Sequence, residues 1–169
     1  MIEVDGITRL YGNRSAVKDL SFKVRKGSVH GFLGPNGAGK TTTMKMISGL
    51  LPPHAGSIKV GGVDVTESPE EVKRKIGILL EVPPLFMDME VRDYLVYAAK
   101  LRKTPKDKVE VWVDEVIERL GLGTLKSRLV GNLSKGYKQK VGVAQAIVHR
   151  PDVVILDEPT SGLDPKAVI

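Results

Sequence analysis

The chain has no cysteine, which excludes disulfides, thiol catalysis and cysteine metal sites. It has only three histidines, His30, His54 and His149, spread far apart, so no zinc site is expected. No apolar stretch approaches the roughly 18 residues that a membrane-spanning helix needs. A secretory signal is not expected either. The opening "MIEVDGITRL" carries Glu3 and Asp5 where such a signal is basic and then apolar. These absences point to a cytoplasmic chain. The sequence also lacks internal repeats, low-complexity tracts and the guanine-reading Asn-Lys-x-Asp pattern, which argues against a small GTPase.

What is present is basic. The formal net charge is +6 and the pI about 9.5, so a nucleic acid, an anionic membrane face or an anionic small ligand are the partners to weigh against a solvated surface. The densest cluster, "KLRKTPKDK" (Lys100 to Lys108), has no interleaved aromatics and leads into an amphipathic helix. It reads as solvated surface, and no nucleic-acid partner is expected.

The first third reads as short strands, in "MIEVDGITRL" and "LSFKVRKGSVHGFLG". At Gly34 the apolar "VHGFL" gives way to a glycine-rich loop and then to "KTTTMKMISGLL", a strand–loop–helix pattern. "LPPHAG" is a turn, "SIKVGG" a strand, "PEEVKRK" a short helix opened by Pro69, and "IGILLE" a buried strand. In "TPKDKVEVWVDEVIERLG", Thr104 suits a cap and Pro105 the first turn, while Gly121 suits the end. Val109, Trp112, Val113, Val116, Ile117 and Leu120 then share one face, the spacing of a core-facing helix. A further helix starts after Ser134 and stops before Pro151. "VVILDE" follows as a nearly continuous apolar strand, the pattern of a parallel strand buried on both faces.

"GPNGAGKTT" (Gly34 to Thr42) satisfies G-x-x-x-x-G-K-[ST] in the strand-to-helix setting that the motif requires. The stretch Gly34, Pro35, Asn36, Gly37, Ala38, Gly39, Lys40, Thr41 and Thr42 is the candidate nucleotide-binding loop. Its glycines let successive N–H groups converge on phosphate oxygens, and the helix that follows adds its positive N-terminus. Lys40 supplies a mobile cation for the outer phosphates, and Thr41 a hydroxyl for Mg²⁺. At the end of "VVILDEPT", Asp157 is the second candidate for Mg²⁺, and Glu158 a candidate general base. "LSKGYKQKV" (Leu133 to Val141) puts a serine cap, a glycine and several cations at one helix start, where added cations are unfavourable unless an anion sits there.

With "GPNGAGKTT", "LSKGYKQKV", "VVILDEPT" and "SGLD" in this order, the chain resembles the ATP-binding subunit of ABC transporters over essentially its whole length. The resemblance implies an α/β P-loop ATPase core with a parallel sheet, a small N-terminal antiparallel β portion and a helical insertion. It divides the chain into an N-terminal core part (1–90), a helical subdomain with the signature segment (91–150) and an incomplete core continuation (151–169). It implies ATP and Mg²⁺ as ligands, with Lys40 and Glu158 catalytic and with Thr41 and Asp157 on the metal. Ser134 and the backbone of Gly136 would contact the γ-phosphate of an ATP held by a second, opposing subunit. Tyr11 would stack on adenine, or else simply pack near its turn. Asp164 would help to shape the hydrolytic site across the dimer.

Three departures from the family pattern stand out. Glu81 replaces the usual glutamine after "IGILL", where an acid can also bind Mg²⁺ or orient water. The signature reads Ser-Lys-Gly-Tyr, similar to the export-type branch, whose subunits pair with separate membrane permeases. The chain ends at Ile169, before the family's later histidine, so a fragment or a natural truncation is expected. "VPPLFMDMEV" (Val82 to Val91) reads as core or as a docking groove for a membrane partner's helix. The expected function is ATP binding and hydrolysis that closes and reopens a head-to-tail dimer to drive a permease. The alternatives are a soluble mechanical ATPase acting on DNA or ribosomes, and a nucleotide-binding fragment without turnover.

Overall fold

Ile2 and Val4 lie two residues apart, as on one face of a strand, but the next buried residue is Ile7, on the opposite parity. A β-bulge between them reconciles the two: the backbone of Gly6 turns to φ +58, and the pairing register shifts between Val4 and Ile7. In the computed structural model, which describes residues 1–159, this stretch is β1 (Ile2–Tyr11). The chain divides into two compact units, one spanning Met1–Ile76 and the other starting at Gly77.

In the first unit, β2 (Arg14–Val24) and β3 (Ala55–Val60) flank β1 antiparallel, and the short β4 (Val63–Asp64) extends the sheet in the order β2-β1-β3-β4. A two-residue turn, Gly12–Asn13, joins β1 to β2, with Gly12 at φ +58, and sets Tyr11 opposite Arg14. α1 (Lys40–Ile47) packs on β2 and β3 and buries Thr43, Met46 and Ile47. α2 (Pro69–Lys75) has the bounds the sequence suggests. Pro69 lies at its start, Glu70 and Glu71 fill its first turn, and the cations Lys73, Arg74 and Lys75 fill its last, a distribution that complements the helix dipole.

The second unit contains β5 (Ile76–Leu79) from its second residue on, α3 (Val91–Leu101), α4 (Val109–Arg119), α5 (Lys135–Ile147) and β6 (Val153–Leu156). β5 and β6 form a two-stranded parallel sheet. The three helices enclose one apolar core, in which Val91, Leu95, Val113, Leu122 and Val141 are fully buried. Each such aliphatic contributes about 1.5–3 kcal/mol. The expected face of α4 is the one that packs here: Val109, Val113 and Ile117 are buried, with Val116 and Leu120 against the cluster. Arg92 of α3 ties the exposed side to Glu110 and Asp114 of α4. The hydrogen bond to Glu110, then that to Asp114, raises its guanidinium pKa further. Arg150, held at φ +52 just past α5, lies 4.5 Å over the Trp112 ring and pairs with Glu115, fastening α5 to α4. α5 also runs close to β5, where a Cβ on Gly77 would lie 1.8 Å from the Ala146 carbonyl oxygen.

Three expectations change. The segment "VHGFL" is not a strand among the described residues, and Val29 and Leu33 are almost fully exposed. An apolar run specifies burial, but a strand also needs an adjacent edge to bond, which this segment lacks here. Among the described residues β6 is covered on one face rather than two: Ile155 is buried while Val154 and Leu156 are exposed. Thr104 does not cap α4. Residues 105–108 form a turn closed by Lys108 N–H to the Pro105 carbonyl, and α4 starts at Val109. The Thr104 N–H instead bonds the Ala99 carbonyl at the end of α3.

Candidate functional site

The phosphate loop owes its shape to positions that only glycine fills well. Gly37 and Gly39 have φ of +83° and +87°, and a Cβ on Gly39 would come within 2.4 Å of the Ala16 carbonyl oxygen. The loop closes on itself through Ala38 N–H to the Pro35 carbonyl at 3.2 Å, and α1 starts with Thr43 N–H bonding the Gly39 carbonyl at 2.8 Å. Lys40 folds back over the loop and donates from Nζ to the carbonyls of Gly34 (2.8 Å) and Pro35 (3.0 Å). Among the described residues it makes no ion pair. The first turn of α1 holds no acid, so the positive helix end is not neutralised from within its own helix. Thr41 and Thr42 follow, half-buried, on that turn. Curled backbone, helix start and lysine together make a cradle suited to a polyphosphate.

Tyr11 stands at the tip of the β1–β2 hairpin with about half its surface exposed. The Arg9 guanidinium lies 5.5 Å from the centre of its ring, and Arg9 Nη1 donates to the Pro52 carbonyl at 2.7 Å. The turn before β3 holds this strand end twice more. Leu10 N–H donates to His54 Nδ1 at 3.1 Å, and His54 N–H donates to the Thr8 carbonyl at 2.8 Å. No sequence motif marks Arg9, two residues before Tyr11 on β1, and His54 reaches Leu10 and Thr8 only from the turn before β3.

The second unit carries the remaining candidates. Ser134 is the N-cap of α5: its Oγ accepts from Tyr137 N–H at 3.5 Å, and its carbonyl accepts from Lys138 N–H at 2.9 Å. Gly136 lies half-buried in the first turn. That turn has no acid, and none of Lys135, Lys138 and Lys140 is ion-paired among the described residues. Lys140 Nζ instead sits 5.5 Å from the Tyr137 ring centre.

At the strand ends, Asp157 N–H donates to the Leu79 carbonyl at 2.9 Å, which carries the β5–β6 pairing one residue further. Asp157 is buried, whereas Glu158 is exposed with its backbone at φ +50, a strained conformation for a non-glycine residue. Two glutamines of α5 hold the same edge: Gln145 Nε2 bonds the Ile78 carbonyl at 2.9 Å, and Gln139 Nε2 the Pro159 carbonyl at 3.4 Å. Glu81 is exposed, two residues past β5. Glu81, Asp157 and Glu158 form no metal-holding cluster of acids among the described residues. Asp164 lies outside the described residues.

The family model for "ABC transporter" matches residues 17–161. The bacitracin transport ATP-binding protein BcrA of Bacillus licheniformis is 41% identical over 168 residues, covering 99% of this chain and 54% of that protein. The ABC transporter ATP-binding protein NatA of Bacillus subtilis is 41% identical over 150 residues, 88% of this chain and 61% of its own length. The chain thus spans little more than half the length of these relatives. The solved structure of an ATP-binding subunit of an ABC transporter superposes with a TM-score of 0.90 at 32% identity, covering 99% of this chain and 70% of that one. CbiO1 from Clostridium perfringens, part of the ABC transporter complex cbiONQ, gives a TM-score of 0.82, also at 32% identity, covering 98% and 68%. By sequence and by fold, the chain belongs to the ABC transporter family, among its ATP-binding subunits.

Proposed function

We propose that the chain binds ATP at the Gly34–Thr42 loop as part of a subunit that hydrolyses it to drive a separate membrane permease. The observation that carries this reading is the loop itself, with two glycines at positive φ and a lysine closing over the cradle. Thr41 and Asp157 are hard oxygen donors of the kind Mg²⁺ takes, and that ion, when bound, would neutralise charge on the β- and γ-phosphates. Lys40 and the loop N–H groups stabilise charge on the phosphates, while Glu158 is the candidate to orient and deprotonate an attacking water. Glu81 would act on the same water or ion.

Ser134 and the first turn of α5 face a different task. An acid-free helix start whose lysines make no ion pair among the described residues suits the γ-phosphate of an ATP held by a second subunit, giving a head-to-tail dimer. No helix of the described residues is long and apolar enough to cross a membrane. In the export-type manner that the signature resembles, separate permease subunits would carry the transport path, with this chain at the inner membrane face. In the second unit, Phe86, Met87, Tyr97 and Leu101 are exposed, and Phe86 meets Tyr97 edge-on at 5.5 Å. This patch is the proposed seat for a permease helix.

The test is the solution mass of Glu158→Gln with and without Mg-ATP, measured beside direct nucleotide binding. A monomer-to-dimer shift on adding ATP supports the reading. Tight binding with no shift would confine it to nucleotide binding, and no binding would remove it.

A further inference from the structure

The start of β2 runs alongside the phosphate loop. The Ala16 carbonyl abuts Gly39, and two residues earlier in both segments the Arg14 Nη2 lies 3.8 Å from where a Cβ on Gly37 would stand. The matching offsets place the arginine at the loop through the backbone path of its strand, not through a chance side-chain excursion. Arg14 is exposed, and among the described residues its guanidinium makes no hydrogen bond or ion pair. Its direct cross-strand partner is Tyr11, and side chains of such a pair project to the same face of the ribbon. One hairpin tip therefore presents an aromatic ring and an uncompensated five-donor cation together, with the cation beside the loop.

We infer that Arg14 is a further nucleotide-binding residue, whose guanidinium contacts the phosphate chain of a nucleotide held at the Gly34–Thr42 loop. This rests on the ATP-binding reading above and adds a side chain that the loop motif does not contain. A planar guanidinium suits phosphate oxygens better than an ammonium does, because its N–H groups bond two oxygens at once. Lys40 serves the loop from the α1 side, and Arg14 would serve it from the hairpin.

The experiment is calorimetric titration of the whole chain with ATP, at low salt and at about 0.5 M salt, for Arg14→Gln, Arg14→Lys and Lys40→Ala. Thermal unfolding of each variant controls for folding. Arg14→Gln should weaken ATP binding about tenfold at low salt, with the deficit shrinking to about twofold or threefold at high salt. Arg14→Lys should recover part of the loss. Unchanged affinity in Arg14→Gln, with binding abolished in Lys40→Ala, would overturn the role of Arg14 alone. An equal loss at both salt concentrations would also overturn it, since that marks a packing effect rather than a charge. If Lys40→Ala too bound ATP normally, the nucleotide site itself would be misplaced.

Discussion

The two units of this chain build their candidate sites by opposite means. In the first, the chemistry lies in backbone: an exposed loop shaped by Gly37 and Gly39, closed by one lysine and resting on the edge of a small antiparallel sheet. In the second, the proposed chemistry lies in side chains: Ser134 caps α5, which the helical core holds in place, and Asp157 and Glu158 follow β6. A backbone site can fail without the unit losing much stability, because few buried contacts depend on the loop. A site carried on packed elements should fail with the packing, because its geometry is inherited from the core.

Gly77→Ala tests this contrast most severely. The added methyl meets the Ala146 carbonyl in a closely packed place, so the second unit should lose on the order of 3–5 kcal/mol, read as a lower midpoint in thermal or denaturant unfolding. An unfolding midpoint like that of the parent would show that α5 is not seated on β5 as described.

Lys40→Ala and Ser134→Arg separate the two sites by function. The first should reduce ATP affinity at least about hundredfold, roughly 2.7 kcal/mol, with little change in unfolding. The second should leave ATP binding to the single chain intact while suppressing the ATP-driven mass increase. Equal damage to binding in both would mean that the α5 start does not serve another subunit's nucleotide.

Tyr94 offers the mildest test. Burial beside Phe86 raises its phenol pKa to about 12 from the ordinary value near 10. The folded chain thus holds this proton more tightly than the unfolded one. Its contribution is complete below about pH 10 and is lost as pH rises from there to about 12, amounting to about 2–3 kcal/mol. Tyr94→Phe should flatten that part of the decline in denaturant titrations between about pH 9 and 12. Parallel declines in parent and variant would show that the phenol is not the group responsible.

The sequence by itself determined the local features of this protein. The phosphate loop, the Pro69 start of α2, the Gly121 stop of α4, the Ser134 cap and the core face of α4 all follow from constraints that act within a few residues. Those constraints are φ preference, a missing N–H, a capping hydroxyl and the 3.6-residue period. Tertiary structure alone decided that, among the described residues, "VHGFL" finds no strand partner and Val154 and Leu156 of β6 stay exposed. It also brought Arg14 beside Gly37 and Ala146 against Gly77. Each of these joins residues that the chain keeps apart and that only strand pairing or helix packing brings together. The pattern of neighbours along the chain specifies what a segment prefers, but the partner that satisfies the preference is chosen by the rest of the fold.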